Sequence, residues 1–349
     1  MRVADFDFDL PPERIAQEPP AERGRSRLLK LNRPDGVVTH HEFDDLPALL
    51  VPGDLLVVND TRVFPARLVG RRLPGGGAAE CFLVKPAPDP DTWLALVHPG
   101  QRLRPGTRMV FDRGGRHLEA EVVSEHFHGR RVVRLYAPAG ESVTDAVRAV
   151  GHVPLPPYVK RDDTPADRER YQTVYARHEG SIAAPTAGLH FTPAILAALD
   201  ARGIARTALT LHVGYGTFQP VRVETVEDHR MEAEAFDVSP EAAVALSRAR
   251  HEGRRIIAVG TTTTRTLESL VLDADGTVRS QAGETALFIH PGHRFQLVDG
   301  LITNFHLPRS SLLMLVSAFA GRDPVLAAYR NAIAHGYQFY SYGDAMLIL

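Results

Sequence analysis

Residues 303–321 read TNFHLPRSSLLMLVSAFAG and place a polar loop directly before an apolar helix. Apolar residues recur at helical spacing from Leu312 to Phe319, which predicts a helix that is largely buried. Pro308 disfavours helical backbone just before it, and Ser310 or Ser311 is suited to cap the helix N-terminus. The free N–H groups of the first turn would then point into the polar loop and favour an anion or a carboxylate there. Taken alone, the pattern favours a capped core helix over a binding site.

The composition is that of an ordinary soluble protein. The 349 residues are 44% hydrophobic and 23% charged, which is typical of about two globular domains. A formal charge of -2 gives no overall attraction to nucleic acid, so an RNA contact would need a local basic surface. Cys81 is the only cysteine, which excludes an internal disulfide, and its strand-like setting indicates a buried structural thiol rather than a nucleophile. Neither a signal peptide nor a membrane span is recognisable, so we expect a cytoplasmic protein without membrane association.

The pattern of apolar runs divides the chain into two kinds of structure. Between residues 67 and 136, short runs of Val, Leu, Phe and Arg alternate with turn clusters, which predicts a small antiparallel barrel or sandwich. The proline-rich segment 151–161 predicts a linker, and strands alternate after it with predicted helices at 193–201, 240–252 and 264–272. We therefore predict an α/β fold whose mostly parallel, barrel-like main domain comprises residues 1–65 and 153–349. An antiparallel β-barrel domain of residues 66–152 is inserted into it.

Polar clusters follow several predicted strands, where ligands bind in α/β sheets. The clusters are NDTR at 59–62, APTAGLHFT at 184–192, HVGYGT at 212–217, GTTTTR at 260–265 and YSYGD at 340–344. Each also has a structural interpretation as a turn, a helix cap or an ion pair. None has the glycine spacing of a dinucleotide site or a Walker lysine. With the opening stretch, these clusters supply the candidate binding residues Asn59, Asp60, Arg62, Thr186, His190, Gly214, Gly216, Thr217, Thr262, Arg265, Asn304, Ser310, Ser311 and Tyr342.

Metal and serine-hydrolase chemistry find little support in the sequence. The pairs His290 with His293 and His126 with His128 come nearest to ligand spacing, but neither belongs to an H-E-x-x-H motif. No G-x-S-x-G elbow is present. We expect no metal site.

Taken in order, these segments resemble the S-adenosylmethionine:tRNA ribosyltransferase-isomerases of queuosine biosynthesis over nearly the whole chain. The resemblance rests on GDLLVVNDTRVFPARL from Gly53, GHVPLPPYVKR from Gly151, GSIAAPTAGLHFT from Gly180, HVGYGTFQPV from His212, AVGTTTTRTLE from Ala258, the opening stretch, and FYSYGDAMLI from Phe339. It implies transfer and isomerisation of the ribosyl moiety of S-adenosylmethionine onto 7-aminomethyl-7-deazaguanine in a tRNA anticodon. The products would be epoxyqueuosine-tRNA, adenine and methionine. S-adenosylmethionine is then a co-substrate, and no cofactor is expected.

Two positions depart from the pattern of that family. Glu232 stands where the family usually has a histidine, so Glu234 is the safer choice for a proton carrier. Thr263 and Thr264 stand where the family commonly has a serine and a small residue.

The implied reaction needs a base, because the sulfonium acidifies the neighbouring C5′ protons. Arg265, Ser310 and the following helix N-terminus are expected to hold the methionine carboxylate, and Asp60 and Arg62 to orient the ribose or the incoming amine. The candidate acids and bases are His212, Glu234, His306 and Asp344.

The RNA has to present one unstacked nucleotide, so we expect a groove between the two domains, edged by basic side chains. We expect a monomer. Two alternatives stay open, namely a non-catalytic RNA-binding module that uses the barrel and a glycosyl-transferring enzyme that acts on a free nucleoside.

Overall fold

The computed structural model describes residues 1–126, 129–218 and 221–349, with residues 217 and 218 described by their backbone alone. The strands are β1 (Arg27–Leu31), β2 (Val38–Glu42), β3 (Leu55–Asn59), β4 (Thr61–Val63), β5 (Arg67–Leu73), β6 (Ala78–Pro86), β7 (Thr92–His98), β8 (Arg108–Arg113), β9 (Arg116–Glu125), β10 (Arg130–Tyr136), β11 (His178–Ser181), β12 (Ala205–Leu211), β13 (Glu234–Val238), β14 (Ile256–Val259), β15 (Gln281–Thr285), β16 (Gly300–Asn304) and β17 (Ala345–Ile348). The helices are α1 (Leu46–Leu49), α2 (Val143–Val150), α3 (Asp167–Arg170), α4 (Pro193–Ala201), α5 (Pro240–His251), α6 (Thr261–Ser269), α7 (Ser311–Ala320) and α8 (Arg322–Ala334).

A nine-stranded sheet organises the main domain, in the order β15-β13-β12-β3-β14-β16-β17-β1-β2. The central strands β12, β3, β14 and β16 pair in parallel, and antiparallel pairs lie towards both edges. Side chains alternate between the faces of a strand, so Leu55 and Val57 of β3 enter one core while Leu56 and Val58 enter the other. Burial on both faces explains why β3 and β14 are apolar runs, whereas β12 is polar and exposed where it begins.

Helices cover both faces of this sheet. Residues of α5, α6, α7 and α8 pack into one core, and residues of α1 and α4 pack into the other. The predicted cap of α7 is confirmed, because Ser310 Oγ accepts a hydrogen bond of 3.2 Å from the Leu313 N–H. Thr192 caps α4 in the same way, through a bond of 3.1 Å from the Ile195 N–H. Both caps fix where a helix starts at the edge of the sheet.

The inserted strands β5 to β10 form a closed antiparallel barrel, in the order β10-β7-β6-β5-β8-β9. Helix α2 packs against β9, and Ala146, Val147 and Val150 of this helix join the core of the barrel. Cys81 is fully buried in that core, and burial raises the pKa of its thiol to about 12. The thiol is therefore protonated and structural, as predicted.

The two chain segments that join the barrel to the main domain touch each other. The backbone of Arg67 and that of His152 exchange hydrogen bonds of 3.3 and 2.8 Å. Gly151 permits this approach, because a Cβ atom there would lie 2.1 Å from the carbonyl oxygen of Pro65. The barrel therefore leaves and re-enters the main domain at one place.

The α/β class with an inserted antiparallel barrel is confirmed, whereas the exact domain limits stay a prediction. In the described part of the chain, the main sheet is mixed and does not close on itself, which differs from the predicted mostly parallel, barrel-like form. Both ends of α6 were predicted wrongly, since this helix spans residues 261–269 and not 264–272. The hydroxyls of Thr263 and Thr264 donate to the carbonyls of residues 259 and 260, so these β-branched residues fit inside the helix. In the described ranges, no single helix has the length and apolar character to cross a membrane; α7 and α8 meet that test only as a pair bent by 114°.

Candidate functional site

A cavity of about 590 Å³ lies where β14 and β16 end and where α6 and α7 begin. It gathers the polar residues that follow these two strands with residues of the 184–192 cluster. The binding and catalytic candidates that line it are Thr186, Thr262, Asn304, His306, Ser310 and Ser311.

Two helix N-termini border this cavity. Gly260 caps α6 with a φ of 90°, a conformation that favours glycine, and Thr261 and Thr262 form its first turn in the cavity wall. At α7, Ser310 is the N-cap and Ser311 begins the first turn, and both residues line the cavity. Among the described residues that line the cavity, none is Asp or Glu. Because the positive ends of two helix dipoles meet without a carboxylate, the cavity favours an anionic group.

Tyrosines form another part of the cavity wall. The ring centroid of Tyr158, which belongs to the linker, lies 4.1 Å from that of Tyr340, and Tyr171 completes this side. The Tyr158 hydroxyl is hydrogen-bonded to Ser341 Oγ. An aromatic wall of this kind suits a cation or a planar base. None of the three tyrosines was predicted as a site residue, although Tyr158 and Tyr340 lie in segments 151–161 and 340–344, which the sequence singles out.

His306 is the histidine of the described cavity wall, and it is 8% exposed. Its Nε2 lies 2.8 Å from Thr303 Oγ1, and its backbone N–H donates to the Tyr329 hydroxyl over 3.1 Å. Burial lowers the pKa of His306 to about 3, so the ring is neutral near pH 7. Nδ1 makes no hydrogen bond to the described residues. With Nε2–H donated to Thr303, Nδ1 carries a lone pair that can accept a proton.

His190 lies behind the cavity wall and does not line it, which corrects its prediction as a substrate contact. The Asn304 amide group donates to His190 Nε2 over 3.1 Å and to the Tyr340 carbonyl over 2.9 Å. Since Nε2 accepts, Nδ1 carries the proton and donates to Ser26 Oγ over 2.6 Å. Burial lowers the pKa of His190 to about 4. His190 therefore fixes the orientation of the Asn304 side chain.

These two buried histidines predict a loss of stability on acidification. Both pKa values lie below the ordinary value of 6.5, so below that pH the unfolded chain binds protons that the folded chain does not. Each histidine should therefore lower the free energy of unfolding by about 1.4 kcal/mol per pH unit below pH ~6.5, until its own folded pKa is reached. Urea unfolding at pH 7 and pH 5.5 measures this loss. His190→Gln should reduce it by about 1 kcal/mol, and the exposed control His251→Gln should not. Equal losses in all three proteins would contradict the prediction.

Several other candidates form a strand-end cluster beside the cavity, composed of Asn59, Asp60, His212, Glu234 and Arg265. Asn59 Oδ1 accepts from the N–H groups of residues 61 and 211, so it extends the sheet rather than contacting a substrate. Asp60 Oδ1 accepts from the Thr210 hydroxyl over 2.7 Å. The strand-end cluster contacts the cavity wall at Thr262, whose Oγ1 accepts from Asn59 Nδ2 over 3.5 Å.

His212 is a half-buried member of the strand-end cluster and does not line the cavity. Its Nδ1 lies 2.9 Å from Thr61 Oγ1, and that hydroxyl also bonds Ser181 Oγ over 2.9 Å. Burial lowers the pKa of His212. His212 is therefore neutral, is held by the Thr61 hydroxyl, and lies outside the cavity wall.

Glu234 and Arg265 form a buried ion pair, while the role of Arg265 in holding a substrate carboxylate stays a prediction. Their Oε2 and Nη2 atoms lie 2.7 Å apart, and each side chain is 3% exposed. Glu234 Oε1 also accepts from the Gly214 N–H over 2.8 Å, and Arg265 Nε donates to the Leu287 carbonyl over 3.2 Å. Neither charged side chain lines the cavity. The pair anchors the chain at Gly214 against α6.

Asp344, Tyr342 and Arg62 also lie away from the cavity wall. Asp344 accepts from the backbone N–H and the guanidinium of Arg27 and from the Gln338 N–H, each over 2.8 Å, so its oxygens are occupied. The Tyr342 hydroxyl donates to Asp167 over 3.0 Å. Arg62 is exposed, because it points away from its buried neighbours in β4. Asp344 is thus a structural group, and its prediction as an acid or base is not supported.

The remaining candidates contribute little to the site. Gly216 packs against Glu232, whose side chain would lie 3.2 Å from an added Cβ atom. The side chain of Thr217 and the whole of His128 lie outside the described residues. His293 Nε2 lies 3.4 Å from Glu268. Over the described ranges, no group of three or more His, Cys, Asp or Glu could hold a metal ion, and the absence of a cofactor stays a prediction.

Comparison with known proteins gives consistent results. A sequence model of the family described as Queuosine biosynthesis protein matches residues 3–348. A relative from Anaeromyxobacter sp. (strain Fw109-5), named S-adenosylmethionine:tRNA ribosyltransferase-isomerase, is 54% identical and aligns over 100% of this chain and 99% of its own. A relative of the same name from Heliobacterium modesticaldum is 53% identical over 100% of both chains. The crystal structure of S-adenosylmethionine tRNA ribosyltransferase from Thermotoga maritima is similar with a TM-score of 0.55 and 36% identity, covering 99% of this chain and 100% of that one.

Proposed function

The chain belongs to the queuosine biosynthesis family, and from this premise we propose that it is an S-adenosylmethionine:tRNA ribosyltransferase-isomerase. It transfers and isomerises the ribosyl moiety of S-adenosylmethionine onto 7-aminomethyl-7-deazaguanine in the tRNA anticodon. Epoxyqueuosine-tRNA forms, and adenine and methionine leave. The main support for this proposal is the cavity, because it combines two helix N-termini, which favour an anion, with a tyrosine wall, which favours a cation or a planar base.

S-adenosylmethionine matches both sides of this cavity. Its methionine carboxylate binds at the first turn of α7, where the Ser311 hydroxyl and free N–H groups are available. The Ser310 hydroxyl is already used, because it accepts from Leu313 and donates to the Leu307 carbonyl over 2.8 Å. The sulfonium and the adenine lie against Tyr158 and Tyr340. The reaction that follows uses no metal or redox cofactor.

His306 is the base of this mechanism, since its neutral ring lines the cavity. Its Nδ1 removes a C5′ proton that the neighbouring sulfonium has acidified. Adenine then leaves C1′, the amine of the modified base adds, and epoxide formation expels methionine. Thr303 holds the imidazole through its hydrogen bond with Nε2, and Tyr329 accepts a hydrogen bond from the backbone N–H of His306. Bound methionine carboxylate supplies negative charge to the same cavity, which favours the imidazolium that forms.

The RNA reaches this cavity through an interdomain groove of about 550 Å³. Barrel residues such as Phe82 and His98 form one side of the groove, and the linker with Lys160 and Arg161 forms the other. Pro157 lines both the groove and the cavity, so the two are adjacent. The groove suits one nucleotide taken out of its stack, with basic side chains near its phosphates.

The tyrosine wall predicts a specific effect on S-adenosylmethionine binding. Tyr158→Leu removes the ring that faces the sulfonium and should raise KM for S-adenosylmethionine by roughly 3- to 30-fold, equivalent to about 0.5–2 kcal/mol of lost cation–π attraction. Tyr158→Phe keeps the ring and loses only the hydrogen bond to Ser341, so its KM should stay within about two-fold of the parent value. Steady-state adenine release at varied S-adenosylmethionine measures both. A Phe variant as impaired as the Leu variant would show that the hydroxyl, not the ring, matters.

Adenine release also tests the proposed function itself. The protein is mixed with S-adenosylmethionine and with an anticodon stem-loop RNA that does or does not carry 7-aminomethyl-7-deazaguanine. Adenine formation that requires the modified RNA supports the proposal. RNA binding without turnover would instead indicate a binding module, and turnover on the free nucleoside would indicate a different glycosyl transferase. The tRNA substrate supports a cytoplasmic location, and the monomeric state stays an expectation from the sequence.

A further inference from the structure

A second groove, of about 580 Å³, lies beside the connection between the two domains and is rich in arginine. Arg62 comes from β4, Arg148 from α2, and Arg168 from α3. Arg177 precedes β11, and Glu179 is the acidic residue of the described lining. This arginine groove concentrates positive charge on a chain whose formal charge is -2. Its charge is therefore a local feature and not a property of the whole surface.

The arginines differ in how their charges are used. Arg168 is held in place, since its guanidinium donates to the backbone carbonyls of Arg148 and Gly151 over 3.0 and 2.8 Å. Arg148 pairs with Glu179 at 3.1 Å. The exposed side chains of Arg62 and Arg177 form no ion pair or hydrogen bond with the described residues. The groove thus has two guanidinium groups that the protein itself leaves uncompensated.

The position of the arginine groove relates it to the cavity. Tyr171 lines the cavity and the next residue, Gln172, lines the arginine groove. Gln172 also bonds both the N–H and the carbonyl of Val63, over 3.0 and 2.7 Å, which fixes β4 against this wall. One thin wall therefore separates the groove from the cavity. An RNA that presents one nucleotide to the cavity therefore brings its neighbouring backbone close to the groove.

We propose that the arginine groove binds the phosphodiester backbone of the substrate tRNA. Arg62 and Arg177 contact phosphate oxygens, and the fixed Arg168 and the paired Arg148 add positive potential around them. Guanidinium groups suit this task because they bind phosphate through two parallel hydrogen bonds. Such contacts position the RNA without reading its sequence. The inference rests on the proposed function, since it assigns a second contact surface to the same tRNA substrate.

The test compares the double variant Arg62→Gln/Arg177→Gln with Arg202→Gln/Arg330→Gln, which removes two exposed arginines that line neither groove nor cavity. Binding of unmodified anticodon stem-loop RNA is measured at several salt concentrations. Each lost phosphate contact should reduce the slope of log K against log salt by roughly 0.7 to 0.9. The groove variant should therefore bind RNA about 10- to 100-fold more weakly at moderate salt, with a flatter slope. The control variant should match the parent protein.

Adenine release then separates this inference from the proposed function. The groove variant should show a raised KM for modified RNA and an unchanged KM for S-adenosylmethionine. If RNA affinity and salt slope match those of the control variant, the arginine groove does not bind RNA, and an acidic protein partner becomes the better assignment. If the parent protein releases no adenine although the groove variant binds RNA more weakly, the proposed function is wrong and the RNA surface stands.

Discussion

Replacing His306 by glutamine is expected to lower kcat by a factor of about 10² to 10⁴, the range that general-base catalysis contributes. Glutamine is close in size and can still bond Thr303, but it cannot take up the C5′ proton. KM for S-adenosylmethionine should change by less than about five-fold, because the carboxylate contact at α7 and the tyrosine wall remain. Single-turnover adenine release with modified RNA measures the chemical step directly.

His212→Gln is the matched control for this experiment. His212 is also a neutral histidine held by a hydroxyl group, but it lies in the strand-end cluster outside the cavity wall. Its replacement should cost much less in kcat than that of His306. If the His306 variant keeps more than half of the parent kcat, or if the His212 variant is the more damaged, the base has been assigned to the wrong histidine.

Removing one partner of the buried Glu234–Arg265 pair is expected to destabilise the fold strongly. Arg265→Met leaves the Glu234 carboxylate buried without its cation, which should cost about 3–5 kcal/mol in the free energy of unfolding. Adding Glu234→Gln removes that uncompensated charge and keeps an acceptor for the Gly214 N–H. The double variant should therefore be at least about 1 kcal/mol more stable than the single variant, although it carries one more substitution.

Urea unfolding of the parent, of the single variants Arg265→Met and Glu234→Gln, and of the double variant gives the coupling between these two residues. KM for S-adenosylmethionine, measured on the double variant, tests the alternative role that was predicted for Arg265. A near-parent KM in a stable double variant agrees with the structural role. A single variant as stable as the parent, combined with a KM raised more than about ten-fold, would instead show that Arg265 serves the substrate.

Sequence patterns predicted the scaffold where local and tertiary signals agree. The bounds of α4 were predicted correctly, because a threonine cap and a proline at the first helical position specify its start. Strands β3 and β14 were recognisable as apolar runs, since both their faces are buried. The start of α6 was missed because four consecutive threonines have low helix propensity, and only their hydroxyl bonds to preceding carbonyls reconcile them with a helix.

The candidate site was predicted in outline, but its roles were not. A polar residue at a strand end can contact a ligand or a distant part of the same chain. The neighbouring sequence does not distinguish these two roles. Asp344 meets Arg27, which is 317 positions away, and this contact decides that it is structural. His190 meets Asn304 across 114 positions. Such long-range partners determine which candidate residues keep unused hydrogen-bonding groups at the cavity. A local sequence motif contains no information about them.

The meeting of Arg67 and His152 where the barrel joins the main domain has a further consequence for the architecture of the chain. Because the chain enters and leaves the barrel at neighbouring positions, the main domain accommodates the insertion as it would accommodate a short turn. Its sheet order does not depend on what the insertion contains. None of the barrel strands β5 to β10 belongs to that sheet, and the described residues that line the ribosyl-transfer cavity all lie outside the barrel.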